Sequence, residues 1–222
     1  MPTLHVLRVF VNEDGEWGNP LGVFLEGDQI AESDRQEVAA GLGFSETVFV
    51  DDSSAGRLRI YTPRIELPFA GHPTVGAAWL LAREGAPAET LQVPAGKIGV
   101  RYADGMTCVT ARPEWAPRFE YRRLGVSREV RALSAPAQET NTYAWTWIDE
   151  SAGTIRARCF VPEAGIAEDE ATGSAAIGLC AELERPITVH QGHGSVLRCR
   201  PLADGRVELG GKVVLGELRQ VG

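Results

Sequence analysis

Four residues in this sequence pair a side chain able to hold or move a proton with surroundings that change its chemistry. Glu46 follows Ser45 at the head of an apolar run, Thr47-Val48-Phe49-Val50. A carboxylate beside a buried strand loses hydration, which raises its pKa and suits it to proton exchange near neutrality. The competing reading is a strand-end glutamate facing water. His72 lies in Ala70-Gly71-His72-Pro73-Thr74, at the mouth of a stretch of small and apolar residues that reads as a helix. An imidazole there meets exposed amides and the positive helix end, where it either orients a carboxylate and relays a proton or simply caps the helix. Asp169 and Ser174 belong to Glu168-Asp169-Glu170-Ala171-Thr172-Gly173-Ser174, ahead of a second such stretch. Acids there complement the helix dipole, while a Thr-Gly-Ser turn also offers amides and a hydroxyl as a carboxylate cradle. His190 and His193 read as surface loop.

The elements that would bring these residues together come in two copies. Val48–Gly56 leads into Arg57–Pro63, and Trp147–Gly153 leads into Thr154–Pro162. Each copy is an apolar strand, an acidic Ser/Ala/Gly turn and a return strand ending in proline, which is a hairpin signature. The two prolines lie about 100 residues apart, and a polar loop opening into a helix follows each of them, as an internal repeat requires. A helix apolar on nearly every side must be buried all round, so each half is expected to wrap strands around a central helix. The expected class is α+β with largely antiparallel sheet, in two lobes at residues 1–112 and 113–222, with Pro113 and Pro117 at the joint. If the lobes pack face to face, their helix mouths converge on one pocket suited to a small carboxylic acid. Three further local readings are a capping-box start at Ser33-x-x-Gln36 with a stop at Gly41 and Gly43, a half-buried strand through Tyr143, Trp145 and Trp147, and a closing hairpin over Val207–Leu218 around Gly210-Gly211.

Composition narrows the function classes. The chain has 222 residues, 44% of them hydrophobic and 23% charged, and a net charge of −8. Those proportions are globular, and the acidic balance argues against a nucleic-acid partner. No apolar run approaches the roughly 20 residues of a spanning helix, so no membrane partner is expected. Met1–Phe10 alternates like a strand and lacks the pattern of a signal peptide, so the expected location is cytoplasmic. Cys108, Cys159, Cys180 and Cys199 are far apart, without CxxC or zinc spacing. They read as buried, inert thiols, and neither a metal site nor a cofactor is expected.

Taken together, Gly18-Asn19-Pro20, Ser45-Glu46-Thr47, Ala70-Gly71-His72-Pro73-Thr74 and Glu168–Ser174 resemble the phenazine biosynthesis-like (PhzF-like) family, in the family's order and over most of the chain. The resemblance implies the diaminopimelate epimerase-like fold: two pseudo-symmetric lobes, each a barrel-like sheet around a central helix. It implies a cofactor-independent isomerase similar to trans-2,3-dihydro-3-hydroxyanthranilate isomerase. Glu46 would then be the acid/base, with His72, Asp169 and Ser174 supporting it. Ser45, Gly71, Gly173 and Asn19 would help to bind a small, cyclic or amino-substituted carboxylic acid, and the protein would be a homodimer. Two departures stand out. The chain is shorter than its relatives between about Pro113 and Thr140, within the second lobe. Glu170 also stands where the family commonly has proline, a change that would loosen that loop.

The residues separate the possible chemistries further. A two-thiol epimerase of this fold carries a cysteine at each helix mouth, whereas Ala70 and Ala171 stand at the nearest positions here. Counting back from Ile148 as Glu46 lies before Val50 reaches Ala144, so Glu46 has no acidic twin. A single base suits a proton shuttle on one face rather than inversion of a stereocentre. The alternative function is a small-carboxylate binding protein of the same fold with little or no catalysis. Hydrolysis through Ser174 is disfavoured because Thr172-Gly173-Ser174-Ala175-Ala176 is not a Gly-x-Ser-x-Gly elbow. A dinucleotide loop is disfavoured because Gly41-x-Gly43 is followed by Glu46 in place of the third glycine.

Overall fold

A computed structural model describes residues 1–134 and 140–221 of the chain. Its elements, in order, are β1 (Thr3–Val11), β2 (Asn19–Phe24), α1 (Arg35–Leu42), β3 (Thr47–Asp52), β4 (Arg57–Tyr61), β5 (Glu66–Leu67), α2 (Gly71–Arg83), β6 (Thr90–Val93), β7 (Gly96–Ala103) and β8 (Met106–Ala111). They continue as β9 (Glu120–Arg123), α3 (Ser127–Ala132), β10 (Thr142–Asp149), β11 (Thr154–Val161), β12 (Ile166–Asp169), α4 (Gly173–Leu183), β13 (Ile187–Gln191), β14 (Ser195–Pro201) and β15 (Val207–Gln220). No helix among the described residues is long and apolar enough to cross a membrane.

The repeat read from sequence is a repeat of topology. In the first half β2 pairs β3 in parallel, β3 pairs β4 antiparallel, β4 pairs β6 in parallel, and β6-β7-β8 follow as antiparallel neighbours. In the second half β9-β10, β10-β11, β11-β13 and β13-β14-β15 repeat those pairings in the same order and sense. Even the hairpin turns match. Asp52 Oδ1 accepts from Ala55 N at 2.9 Å, and Asp149 Oδ1 accepts from Ala152 N at 3.1 Å. Gly56 and Gly153 then take positive φ of 64° and 69°, and a Cβ on either would strike a backbone carbonyl oxygen.

The class is α+β, and each sheet wraps one central helix. α2 is buried from Gly71 through Ala78, and α4 at Gly173, Ala175–Ile177, Leu179 and Cys180. One continuous apolar core spans both halves, and full burial of each Leu, Ile or Phe in it contributes about 1.5–3 kcal/mol. The first sheet is a closed barrel of eight strands, β1-β2-β3-β4-β6-β7-β8-β15, with β15 returning to β1. The second runs β15-β14-β13-β11-β10-β9 and ends at β9. Five residues of the segment expected to be shortened, 135–139, lie outside the described residues.

Two local expectations fail. Val207–Leu218 is not a hairpin but part of one 14-residue strand. Its Gly210 and Gly211 are there for close packing, since a Cβ would lie 2.5 Å from Cys108 Sγ and 2.5 Å from Phe10 Cδ1, respectively. Ser33 and Gln36 make no capping box either. Asp34 is the N-cap without a side-chain bond, and Gln36 Nε2 donates to the Thr62 carbonyl, so a tertiary contact displaces the local one. Gly43 does end the helix, in the left-handed region at φ 70°. The strand through Tyr143 and Trp145 is buried on both faces over Thr142–Thr146, and Trp147 is half-buried. The four cysteines are free and buried.

Candidate active site

α2 and α4 meet end to end. A Cβ built on Gly71 would lie 2.9 Å from Gly173 Cα, and one on Gly173 would lie 3.1 Å from Gly71 Cα, while Leu209 of β15 packs against both. Only glycine allows this approach, and it brings two sets of free first-turn amides to one place, an arrangement that attracts anions. The cleft in front of them has a volume of about 450 Å³. Glu46, Asp169, Thr172 and Ser174 line it, together with an apolar wall that includes Phe69, Trp115 and Phe119.

The expected acid/base residues meet at this cleft. Glu46 Oε2 lies 3.5 Å from His72 Nδ1, and His72 is buried. Asn19 Nδ2 donates to Asp169 Oδ1 at 2.7 Å and to the Ala171 carbonyl at 3.0 Å, while Ser45 Oγ sits 3.5 Å from Asn19 Oδ1. Asn19 thus ties the strand that follows Gly18 in the first half to the helix mouth of the second. Ser174 lines the same cleft, one residue after Gly173. Ala70 and Ala171 stand just before α2 and α4.

Burial sets the protonation states. Lost hydration pushes the Glu46 carboxyl up to about 7, against the lowering effect of its hydrogen bond with Ser45. Asp169 is pushed up to about 6, first by burial and then by the nearby charge of Glu46, while His72, Thr172 and Asn19 pull it down. His72 is lowered to about 4 by burial, although Asp169 and the Pro20 carbonyl favour its charged form. At neutral pH the imidazole is therefore neutral and Glu46 is close to half-ionised. The charge of Glu46 is one of the causes that raise Asp169, so the ionisation of Asp169 depends on the protonation state of Glu46.

Beyond the Thr-Gly-Ser turn, Gln191 and Tyr143 complete the site and were not apparent from sequence. Thr172 Oγ1 donates to Asp169 Oδ2 at 2.6 Å and accepts from Gln191 Nε2 at 2.9 Å. Gln191 Nε2 also donates to the Asp169 carbonyl, and Gln191 Oε1 accepts from Tyr143 OH at 3.0 Å. This buried chain holds Asp169 from behind. Gln191 falls in the stretch read as surface loop. Of its neighbours, His193 is exposed and His190 half-buried.

Two expectations about the site are corrected. Glu170 does not loosen its loop. Its carboxylate accepts from His193 N at 3.0 Å and from Ser195 Oγ at 2.7 Å, and Ser195 Oγ accepts from Gly18 N at 3.0 Å. The twin of Glu46 is Asn141, not Ala144. Thr47 pairs with Tyr61 two residues before Pro63, and Thr142 pairs with Phe160 two residues before Pro162. Glu46 and Asn141 therefore precede equivalent residues. The second hairpin is longer toward its tip, so counting from that end misaligned the copies. Neither candidate twin is acidic.

No group of three or more His, Cys, Asp or Glu side chains among the described residues is arranged to hold a metal ion. Comparison with known proteins places the chain among its relatives. The chain is 41% identical over 110 residues to an uncharacterized isomerase of Pasteurella multocida, covering 47% of this chain and 38% of that protein. The chain thus spans well under two thirds of that relative's length. Over a longer stretch it is 30% identical to trans-2,3-dihydro-3-hydroxyanthranilate isomerase of Pseudomonas aeruginosa, covering 81% of this chain and 79% of that one. A putative phenazine biosynthesis PhzC/PhzF protein from Clostridium difficile superposes with a TM-score of 0.81 over 100% of both chains, at 19% identity, which shows the shared fold. The family model of the phenazine biosynthesis-like proteins matches residues 8–147, a span that runs from β1 into β10, and the chain belongs to that family.

Proposed function

We infer that the protein is an isomerase that moves a proton within a small, cyclic carboxylic acid, with Glu46 as its single acid/base. The observation that carries this reading is the Glu46 carboxyl, held near neutral pKa, 3.5 Å from a neutral His72 and on the cleft where both helix amino termini meet. In this scheme the amides of α2 and α4 hold the substrate carboxylate, with Gly71, Gly173 and Ser174 at the contact. The apolar wall at Phe69 and Trp115, whose rings lie 5.7 Å apart, suits a flat ring. Glu46 takes a proton from a ring carbon, and the C–H electron pair moves into the ring so that a double bond shifts by one position. The same carboxyl returns the proton to a second carbon on the same face. His72 and Asp169 hold the polar substituents near the reacting carbons. The named activity of the Pseudomonas relative belongs to this reaction class.

Solvent-deuterium exchange into a panel of cyclic acids, read by mass spectrometry, tests the reading. Glu46→Gln is expected to lower exchange about 10²–10⁴-fold, the usual contribution of general acid–base catalysis. Equal exchange by both proteins would overturn it. A second reading is a small-carboxylate binding protein of the same fold without turnover. Acid binding that survives Glu46→Gln, with no exchange in either protein, is its signature. The homodimer implied by the family resemblance is part of the proposal, and light scattering tests it.

A further inference from the structure

The open end of the cleft carries a charge pattern that the isomerase reading leaves unused. Arg64 and Glu163 each follow the proline that closes a return strand, so the repeat makes them twins of opposite charge, and both line the cleft. Both are exposed, whereas Ala70, Thr172 and Gly173 at the helix mouths are buried, which puts the twins at the solvent end. Among the described residues that line the cleft Arg64 is the one cation, against Glu46, Glu163 and Asp169. Its main chain is fixed: Thr62 Oγ1 accepts from Arg64 N at 3.1 Å and from Ile65 N at 3.0 Å, and Thr62 N donates to the Ile65 carbonyl at 2.8 Å. Its guanidinium reaches across to the second half and lies on Gly165, where a Cβ would stand 2.9 Å from Cζ. Among the described residues that guanidinium has no hydrogen-bond or ion-pair partner, while Glu163 Oε2 accepts from Asn141 Nδ2 at 3.0 Å. The cleft volume of about 450 Å³ equals roughly fifteen water volumes, more than a one-ring monoacid fills.

We propose that this end is a second carboxylate subsite: the Arg64 fork receives the distal carboxylate of a dicarboxylic acid whose first carboxylate rests on the amides of α2 and α4. A planar guanidinium matches a carboxylate with two parallel hydrogen bonds, and one already laid in place loses little freedom in making them. The apolar wall between the two ends takes the body of the acid. The Glu163 carboxylate at the same mouth disfavours a tail of higher charge, such as a phosphate dianion. The inference rests on the isomerase reading for the seat of the first carboxylate. To that reading it adds a specificity determinant, because the second carboxylate takes no part in the proton transfer.

Benzoates that carry a para carboxylate, attached directly or through one or two methylenes, are the probes. Each is paired with the primary amide that replaces its distal carboxylate at the same size. Calorimetry at low ionic strength is expected to show the best-fitting diacid bound about tenfold more tightly than its amide, between the values of an exposed ion pair and a buried charged hydrogen bond. In Arg64→Met, which keeps an apolar stem, that ratio is expected to fall to about one, and Arg64→Lys, which keeps the charge without the fork, is expected to retain part of it. Arg64 is exposed, so neither change threatens the fold. A ratio near one in the wild-type protein for all three pairs, a ratio that Arg64→Met leaves unchanged, or no binding of any diacid would overturn the proposal. A fault in the isomerase reading would show elsewhere, as deuterium exchange indifferent to Glu46→Gln with the Arg64-dependent ratio intact.

Discussion

Glu46 and His72 respond to burial with opposite signs, and each sign gives a prediction. The Glu46 carboxyl moves from 4.5 to about 7, so the folded protein keeps a proton that the unfolded chain has already released. The stability this contributes is complete below pH 4.5 and is lost as pH rises through 7. Replacing Glu46 by Gln removes that loss. The melting temperature of Glu46→Gln relative to wild type is expected to rise steadily from pH 5 to pH 8, by no more than about 3 kcal/mol in stability. His72 moves from 6.5 to about 4, so its contribution is complete above pH 6.5 and is lost as pH falls through 4. On the proposed role of Glu46 as the base, kcat/KM should climb through about pH 7 as its carboxyl ionises. Glu46 and His72 were legible in the sequence because their cues are local: an acid heading an apolar strand, and an imidazole at the mouth of a small-residue helix. Gln191 and Tyr143 were not, because Gln191 meets Asp169 and Tyr143 only through strand pairings between segments 22 and 48 residues apart in the chain.

Among the elements, the two helix ends set the tightest tolerance. A Cβ on Gly173 would lie 2.7 Å from Leu209 Cδ2 and 3.1 Å from Gly71 Cα, so Gly173→Ala must force α2 and α4 apart. Urea unfolding is expected to show a loss of about 1–3 kcal/mol, as overpacking usually does. Carboxylate binding should fall further than that loss explains, because the two sets of amides no longer share one target. The Glu170 tie has its own signature. Glu170→Ala leaves the amides of His193 and Gly194 without their carboxylate, and hydrogen exchange at those amides should speed up while exchange within α4 does not. The helices were readable from their small apolar residues and the strands from their hairpin turns. The Gly210-Gly211 pair was not, because a glycine chosen for a turn and a glycine chosen for contact look alike until the facing residues, Cys108 and Phe10, are known.

The whole molecule is two sheets sharing one strand. β15 pairs with β14 and β8 over Val207–Gly211 and then with β1 over Lys212–Gln220. Removing residues 212–222 would leave β1 an open edge that carries Leu7 and Val9 from the core. Soluble yield should collapse, or gel filtration should show aggregates, as exposed apolar edges promote. The duplicated halves could be read from hairpins and prolines, but this exchange between them could not, since nothing in the residues of β15 says which strand lies alongside. The shared strand also fixes an order of events during synthesis. Seven staves of the first barrel leave the ribosome and then wait for the eighth, which is encoded about 100 residues later. At the usual pace of translation that delay is roughly 5–20 s. Throughout it the nascent chain holds two unsealed margins, so this protein should depend on chaperone shelter more than a barrel whose staves are made in unbroken succession.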